Sequence, residues 1–294
     1  MQTCRGIPMK KILILGKQGQ VGWELCRTLS PLGQLITYDR KALDLASPLS
    51  IRELLNGLKP HMIVNAAAYT AVDKAEAEKE ACMAINAQAP QILAEEAKKL
   101  NALLVHYSSD YVFDGCSPNP STEDTVPNPQ NFYGYSKLEG DRAIQASGCA
   151  HLILRTSWVY GNRGRNFLLT MLKLGLEKDT LKIVDDQMGA PTWSRLIAEA
   201  TAQVMARYEG QDGIYNLTCR GKTSWFGFAK AIFEGYCLKK GVKMPTLVNI
   251  PSSAYPVAAQ RPHNSLLSHE KTEKTFGIQL PDWNETLQMC LEEV

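Results

Sequence analysis

The chain has 294 residues, of which 45% are hydrophobic and 21% are charged, and its formal net charge is +2. This length suits one large α/β domain, or one such domain with a smaller companion, and the composition is that of a soluble globular protein. So balanced a charge gives no argument for a nucleic acid or a membrane surface as a partner. An anionic small ligand would need a local basic site.

The eight cysteines and five histidines are scattered along the chain. They show neither a C-x-x-C pair nor the spacing of metal ligands, which favours reduced thiols in the cytoplasm and no bound metal. The apolar run over 12–15 is too short for a signal peptide or a membrane span. We therefore expect a cytoplasmic protein, with residues 1–8 as a disordered segment before the first strand.

The first half of the chain alternates between strand-like and helix-like segments. Its continuous apolar runs are typical of parallel strands that are buried on both faces. The predicted strands are KILIL (11–15), QLITY (34–38), HMIVNAAA (61–68), LLVHYSS (103–109) and HLILRTS (151–157), and the predicted helices cover 20–30, 51–58, 72–100 and 133–146. This alternation predicts βαβ units, right-handed crossovers and a Rossmann-type, doubly wound parallel sheet.

The second half is less regular. Its pattern predicts strands over 180–186 and 213–218, a Pro/Ser loop over 251–262, and helices over 166–176, 194–208, 225–236 and beyond 283. These segments predict a smaller, mostly C-terminal α/β lobe for the substrate. The dinucleotide-binding lobe is expected to take 9–160 and about 180–215, and the substrate lobe about 161–179 and 216–294.

The stretch KKILILGKQGQVGWEL places three glycines between the first predicted strand and the first predicted helix. In a dinucleotide-binding turn, Gly16 would permit the tight turn, Gly19 would let a phosphate approach the backbone, and Gly22 would allow close packing of helix on sheet. The helix N-terminus would then face the pyrophosphate. A plain tight turn is the alternative, but strand, glycines, helix and a later acidic residue occur in the order that favours a dinucleotide site.

Cofactor choice depends on the stretch YDRKALDL. Asp39 follows the second strand and can accept hydrogen bonds from ribose hydroxyls, which favours NADH. Arg40 can bind a 2′-phosphate, and Lys41 stands next to it. The alternative is that Arg40 is a solvated surface residue. We predict that both cofactors are used and that NADPH is preferred.

The stretch YGYSK places Tyr133 and Lys137 four residues apart, on one face of the predicted helix. A cation beside a phenol lowers its pKa, which suits Tyr133 as proton donor to a carbonyl that receives hydride. Ser108 and Ser109 follow at the carboxyl end of the fourth strand, where open α/β sheets bind ligands. Such a Tyr/Lys pair is also common on protein surfaces, so its position behind a glycine turn is what favours the catalytic interpretation.

The blocks GKQGQVG, NAAAYTAVDKAE, YSSDYVFDG and YGYSK give the chain a resemblance to the extended short-chain dehydrogenase/reductases. With RTSWVYG, DDQMGAPTW and RPHNSLL, it resembles the dTDP-4-dehydrorhamnose reductase branch over nearly its whole length from Met9. The resemblance implies NAD(P)H-dependent reduction of the C4 keto group of dTDP-4-dehydro-L-rhamnose to dTDP-L-rhamnose, for cell-surface polysaccharide. Another sugar-nucleotide reductase or epimerase, or a non-catalytic subunit resembling the regulatory subunit of methionine adenosyltransferase, stays open as an alternative.

The same resemblance implies individual roles. Tyr133 would be the acid, Lys137 its pKa partner and a ribose ligand, and Ser109 the donor to the keto oxygen. The cofactor would be lined by Gly16, Gln18, Gly19, Gln20, Val21, Ala66, Ala67, Ala68 and Tyr69. The substrate would be met by Asp110, Tyr111, Trp158, Asn166 and Arg261. The last three have simpler alternatives, which are a core aromatic, a helix cap and a loop anchor.

Some relatives are expected to form dimers around a divalent cation held by carboxylates, one of which follows the GAPT block. Here Arg195 stands at that position. A guanidinium would repel a metal and could instead pair with Glu292 or Glu293 of a neighbouring chain. We therefore predict a possible homodimer without a metal requirement.

Overall fold

The computed structural model describes residues 9–294, and the predicted disorder of residues 1–8 lies outside the described residues. The strands in this part of the chain are β1 (Lys11–Leu15), β2 (Gln34–Tyr38), β3 (Met62–Asn65), β4 (Leu103–Ser109), β5 (His151–Thr156), β6 (Val159–Tyr160), β7 (Thr180–Val184), β8 (Met188–Gly189), β9 (Thr192–Trp193), β10 (Gly213–Asn216), β11 (Thr223–Ser224) and β12 (Thr246–Ile250).

The α-helices are α1 (Gln20–Thr28), α2 (Pro48–Leu58), α3 (Val72–Ala75), α4 (Lys79–Met83), α5 (Ala89–Leu100), α6 (Phe132–Ser147), α7 (Phe167–Glu177), α8 (Ser194–Ala206), α9 (Trp225–Lys240), α10 (Glu270–Phe276) and α11 (Trp283–Leu291). Short 3₁₀ turns cover Ser30–Leu32, Asp110–Val112 and Ser252–Ala254, and a π-helical turn covers Ala84–Gln88. Within residues 9–294, none of the helices has both the length and the apolar character needed to cross a membrane.

The main sheet has six parallel strands in the order β10, β5, β4, β3, β1, β2. The predicted doubly wound parallel sheet is confirmed. The chain order reverses between β1 and β3, so the carboxyl ends of these two strands flank the crevice in which such sheets bind ligands. Buried apolar residues fill both faces, with α1 and α8 on one and α2 and α5 on the other.

A third core lies apart from this sheet and is built by α7, α9, α11 and β7, with Phe228 and Leu287 fully buried in it. Strand β7 pairs with β12 in a parallel two-stranded sheet. The residues 180–184 therefore pack with the smaller lobe, whereas the sequence pattern assigned them to the larger one. Strand β12 was not predicted because most of its residues are not buried, so it lacks a continuous apolar run. The rest of the lobe division stays a prediction.

The helix predicted over 72–100 is interrupted. Residues 76–78 separate α3 from α4, and the π-helical turn joins α4 to α5. Pro90 lies in the first turn of α5 and lacks the N–H that an α-helix would bond to the carbonyl of Asn86, so the ladder changes register there. Asn86 lies within this π-helical turn.

Candidate active site

The glycine turn lies at the carboxyl end of β1, at the reversal of strand order. Gly16 has φ +85°, and a Cβ there would lie 2.8 Å from the backbone nitrogen of Ala67. A Cβ on Gly22 would lie 2.1 Å from the carbonyl oxygen of Gly16. The predicted tight turn and close helix packing are confirmed, because both positions admit only glycine.

Helix α1 starts directly after this turn, with Gly19 as its N-cap and no acidic residue in its first turn. Two side chains predicted to line the cofactor make contacts within the protein. Gln18 Nε2 donates to Asp39 at 2.8 Å, and Gln20 Oε1 accepts from Asn166 at 2.9 Å. An anion would therefore be bound chiefly by the backbone of the turn and by the positive end of the helix dipole. Val21 lies at this end of the helix.

Asp39 lies just beyond β2 and its carboxylate is well held. Its Oδ1 accepts from the backbone N–H groups of Lys41 and Ala42, at 3.0 and 3.1 Å. Lys17 Nζ lies 3.8 Å from its Oδ2, and Arg40 is exposed beside it. Lys17 is thus the cation that pairs with the carboxylate, and Arg40 is its neighbour in the chain. The sequence pattern indicated Arg40 but not Lys17, because Lys17 lies within the glycine turn and 22 positions before Asp39 in the chain.

Asn86 holds the segment 66–69, which follows β3 and contains Ala66, Ala67, Ala68 and Tyr69. Its Oδ1 accepts from the backbone N–H of Tyr69 at 2.8 Å, and its Nδ2 donates to the carbonyl of Tyr69 at 3.0 Å. The same Nδ2 lies 3.0 Å from Ser136 Oγ on α6. Asn86 therefore links the predicted adenosine side to the catalytic helix. Sequence reasoning missed it, since a polar residue in an Ala-rich helix gives no signal of such a link.

Ser109, Tyr133 and Lys137 come together at the carboxyl edge of the sheet, because β4 ends at Ser109 and α6 begins one residue before Tyr133. Lys137 is 1% exposed, and its Nζ donates to the carbonyl of Tyr107 at 2.6 Å. Desolvation lowers the pKa of Lys137 to about 8, while the nearby Asp141 opposes this shift.

One electrostatic expectation is wrong. Lys137 was predicted to lower the pKa of Tyr133, but desolvation dominates and raises the pKa of this phenol, while a hydrogen bond with Ser109 acts in the opposite direction. The Nζ atom of Lys137 is directed at the carbonyl of Tyr107 and at His106 rather than at the phenol. The spacing of the two residues gives their shared helix face, but it does not give the direction of a four-carbon side chain.

Asp110 and Tyr111 follow Ser109 in a 3₁₀ turn. Asp110 is 3% exposed, its Oδ1 accepts from Ser109 Oγ at 3.0 Å, and its Oδ2 is buried without a hydrogen-bond partner among residues 9–294. Desolvation raises the pKa of Asp110 to about 6, although the nearby Ser265 and Ser109 side chains oppose this shift. The ring of Tyr111 packs edge-on against Tyr133, with 5.5 Å between centroids. Both residues thus adjoin the predicted acid.

Arg261 is anchored by Asp73. Its Nη2 donates to Asp73 Oδ2 at 2.7 Å, and the backbone N–H of Ala259 donates to Asp73 Oδ1 at 3.2 Å. Its Nε is buried and has no partner within the part of the chain that the structure describes. Arg261 therefore anchors the loop, as the simpler alternative predicted. Its Nε–H remains as a donor that a ligand oxygen could accept from.

Trp158 lies beyond β5 in the left-handed region, with φ +47°. Its ring stacks on Trp225 at 3.5 Å between centroids, and a Cβ on Gly189 would lie 2.4 Å from it. Trp158 is half-buried. One part of its ring therefore belongs to an aromatic cluster, and another part remains exposed. Such backbone strain is typical of functional sites.

Asn166 is the N-cap of α7. Its Oδ1 accepts from the backbone N–H of Leu169 at 3.0 Å, and its Nδ2 donates to Gln20 Oε1 and to the carbonyls of Gly161 and Arg163. The alternative interpretation as a cap is confirmed. Its side chain is used within the protein, so a substrate contact would fall to the first turn of α7.

A buried polar layer behind the site was not predicted. Asp141 Oδ2 accepts from Ser108 Oγ at 2.8 Å and from Arg155 Nη2 at 3.3 Å, and both charged residues are at most 1% exposed. His106 was given no role in the sequence analysis, but it contacts Lys137 directly. Arg155 and His106 lie within sequence runs that predict buried strands. The sequence therefore does not indicate their polar partners, which are identified only in the folded structure.

Arg195, at the start of α8, lies between two carboxylates of its own chain. Its guanidinium forms an ion pair with Glu293, and its Nε lies 3.6 Å from Glu24 Oε2. The predicted pairing with Glu292 or Glu293 of a neighbouring chain stays a prediction, while within the chain Arg195 already pairs with Glu293. Residues 9–294 contain no group of three or more His, Cys, Asp and Glu side chains with the geometry of a metal site.

A glycine turn at the reversal point of a doubly wound sheet, with a Ser at a nearby strand end and a Tyr and a Lys on the helix beside it, defines the short-chain dehydrogenase/reductase class. The model of one protein family, described as the RmlD substrate binding domain, matches residues 9–294. The chain therefore belongs to this family, and the predicted resemblance is confirmed.

Named relatives agree. The chain is 45% identical to the dTDP-4-dehydrorhamnose reductase of Burkholderia thailandensis, over 97% of this chain and 99% of the relative. It is 42% identical to that of Escherichia coli, over 96% and 97%. Among solved structures, the dTDP-4-dehydrorhamnose reductase of Bacillus anthracis in complex with NADP gives a TM-score of 0.91 at 32% identity, over 97% of this chain and all of that chain.

Proposed function

We propose that this protein uses NAD(P)H to reduce the C4 keto group of dTDP-4-dehydro-L-rhamnose to dTDP-L-rhamnose. The observation that carries the proposal is the convergence of Ser109, Tyr133 and the glycine turn at one edge of the sheet, in a chain whose relatives bear the name of that activity. The turn fits a dinucleotide pyrophosphate, since it admits only glycine at Gly16 and Gly22 and leads into a helix without a first-turn acid.

A bound nicotinamide would supply the hydride, and the chain's own residues handle the proton. Tyr133 gives its phenolic proton to the C4 oxygen, and its raised pKa keeps that proton in place until the oxygen becomes basic. Ser109 lies beside this hydroxyl and orients it and the keto oxygen. Lys137 and Asp39 would hold the ribose hydroxyls of a bound cofactor, and the unpaired Nε–H of Arg261 would meet the substrate diphosphate.

The test is direct. Purified full-length protein with NADPH and dTDP-4-dehydro-L-rhamnose is expected to consume NADPH and form dTDP-L-rhamnose, identified by mass spectrometry and NMR. Oxidation of NADPH only with a different sugar nucleotide would favour another reductase. Interconversion of sugar isomers without net oxidation of the cofactor would favour an epimerase. Binding of NADPH without turnover on any sugar nucleotide would favour a non-catalytic subunit.

Cofactor selection should depend on Arg40. Asp39 repels a 2′-phosphate, while Arg40 is exposed and free to bind it, and an exposed charge contact is worth about 1 kcal/mol. We expect NADPH to be preferred and NADH to be used. The variant Arg40→Ala should lower kcat/KM for NADPH by about 5-fold and leave that for NADH unchanged.

The control is Lys243→Ala, which removes an exposed cation far along the chain and should alter neither value. Lys17→Ala measures the second cation beside Asp39. An equal loss for both cofactors in Arg40→Ala, or no loss for either, would remove Arg40 from the site and leave Asp39 to specify NADH.

Activity should not depend on a divalent cation, because the Arg195 guanidinium lies between Glu24 and Glu293. Protein treated with EDTA is expected to keep its turnover and its sedimentation behaviour, which also reports whether a homodimer forms. The variant Arg195→Glu would bring three carboxylates together and should gain a melting temperature that rises with Mg²⁺. Loss of wild-type activity in EDTA and its recovery with Mg²⁺ would contradict the prediction.

The location and partners follow from the same proposal. The cofactor and a nucleotide-linked sugar are cytoplasmic metabolites, so we infer a cytoplasmic enzyme without a nucleic-acid or membrane partner. The sequence supports this with a net charge of +2 and scattered cysteines. Fractionation of cells that express the tagged chain would test it.

A further inference from the structure

Three buried side chains form a hydrogen-bonded row behind the candidate active site. Asn65 at the end of β3, His106 on β4 and Lys137 on α6 are each 1% exposed. Asn65 Nδ2 lies 3.1 Å from His106 Nδ1, and His106 Nε2 lies 3.0 Å from Lys137 Nζ. Only the last of these residues has a role in the proposed function.

The proton positions in this row follow from the hydrogen bonds of Asn65, the residue at the end of the row opposite Lys137. The backbone N–H of Ala67 donates to Asn65 Oδ1 at 3.2 Å, so the carboxamide presents its NH₂ group to His106. His106 Nδ1 must then be an acceptor without a proton. The ring is buried and desolvation holds the pKa of His106 well below its usual value, so it is neutral and carries its single proton on Nε2.

This tautomer has a consequence for Lys137. The Nε2–H of His106 points at Lys137 Nζ, which already donates to the carbonyl of Tyr107 at 2.6 Å. A neutral amine accepts this bond with its lone pair, whereas an ammonium has no lone pair and would place two donors against each other. The row therefore favours the amine and disfavours the ammonium.

We propose that Asn65 and His106 are positioning residues that set the proton affinity of Lys137, through a fixed imidazole tautomer that donates to Nζ. The row also links the charge of Lys137 to the segment 66–69, since protonating Lys137 is easiest when Asn65 turns and releases the N–H of Ala67. This inference rests on the proposed function for its role in catalysis, but the proton affinity itself is measurable without substrate.

Other groups around Lys137 act alongside this row. Asp141 on the same helix and Cys82 on α4 raise the pKa of Lys137, while desolvation lowers it more strongly, to about 8. Arg155 on β5 pairs with Asp141 and so weakens its pull. Tyr133 lies one turn earlier on α6. His106 is the neighbour on β4, and its donated hydrogen bond acts in the same direction as desolvation.

The test is an NMR titration of the free full-length protein with ¹³Cε-labelled lysine, in which Lys137→Met identifies the Lys137 signal. His106→Gln offers an amide oxygen in place of Nε2–H, and we expect the pKa of Lys137 to rise by about one unit. Asn65→Asp keeps the shape but accepts a hydrogen bond from Nδ1–H, so the ring proton moves to Nδ1 and Nε2 becomes an acceptor. It should raise the pKa in the same direction.

The control His269→Gln changes a half-buried histidine that bonds to Thr218 and should leave the Lys137 titration unchanged. Rises in both test variants would support the proposal, and an unchanged or lowered pKa of Lys137 in either folded variant would overturn it. If the proposed function also holds, the alkaline limb of the kcat/KM profile should shift upward with the NMR value. Shifted titrations in a protein without turnover would support the inference and reject the proposed function.

Discussion

Replacing Tyr133 by phenylalanine should lower kcat by about 10²–10⁴-fold, which is the usual contribution of a general acid. The change removes one hydroxyl and leaves the ring that packs edge-on against Tyr111. The fold should therefore survive. The measurement is kcat at saturating NADPH and substrate, with circular dichroism and thermal unfolding to show that the variant is native.

The matched control is Tyr135→Phe. Tyr135 lies on the same helix but is 43% exposed and faces away from Ser109, so the loss of its hydroxyl should leave turnover unchanged. If Tyr133→Phe kept near wild-type turnover, the proton would have to come from another group. Asp110, whose pKa is raised to about 6, would then be the first alternative.

The main sheet was predictable because each strand carries its own signal. KILIL and the first half of LLVHYSS are apolar on both faces, and this is required only where helices cover both sides of a parallel sheet. The glycine turn was recognisable from its letters, but only Gly22 is fixed by a local contact, with the carbonyl of Gly16, whereas Gly16 is fixed by the backbone of Ala66 and Ala67. Strand β12 has no such signal, because its stability depends on pairing with β7.

The candidate site was predictable only in part, for a related reason. Strand ends and helix spacing bring Ser109, Tyr133 and Lys137 to one edge of the sheet, but they do not give the direction of the lysine amine. His106 and Asn86 act through partners 31 and 17 residues away in the chain. A polar residue inside a buried run could as well be a satisfied core residue, and only the folded contacts decide between the two.

Replacing Arg155 by methionine should lower the free energy of unfolding by about 3–5 kcal/mol, because it leaves Asp141 as a buried charge without its cationic partner. Arg155 on β5 is 1% exposed and donates to Asp141 Oδ2 at 3.3 Å, and its guanidinium lies 5.1 Å from the ring centre of Phe113. Methionine fills most of the same volume with an apolar chain. Urea unfolding followed by fluorescence measures the loss, and the double variant Arg155→Met with Asp141→Asn should recover part of it.

The pH dependence of Arg155→Met separates a lost charge partner from simple loss of packing. Desolvation already raises the pKa of Asp141, with Arg155 as the largest opposing influence, so the variant should raise this pKa further. When the pKa of a carboxyl is raised in the folded state, stability falls as the pH rises from the unfolded pKa, about 4, to the folded pKa. Below the unfolded pKa the carboxyl is protonated in both states and costs no stability. The loss should therefore be largest near neutral pH and shrink toward pH 4, because Asp141 is then protonated in both states. A loss that is the same at both pH values would mean that Arg155 stabilises the fold through its packing on Phe113 rather than through its charge.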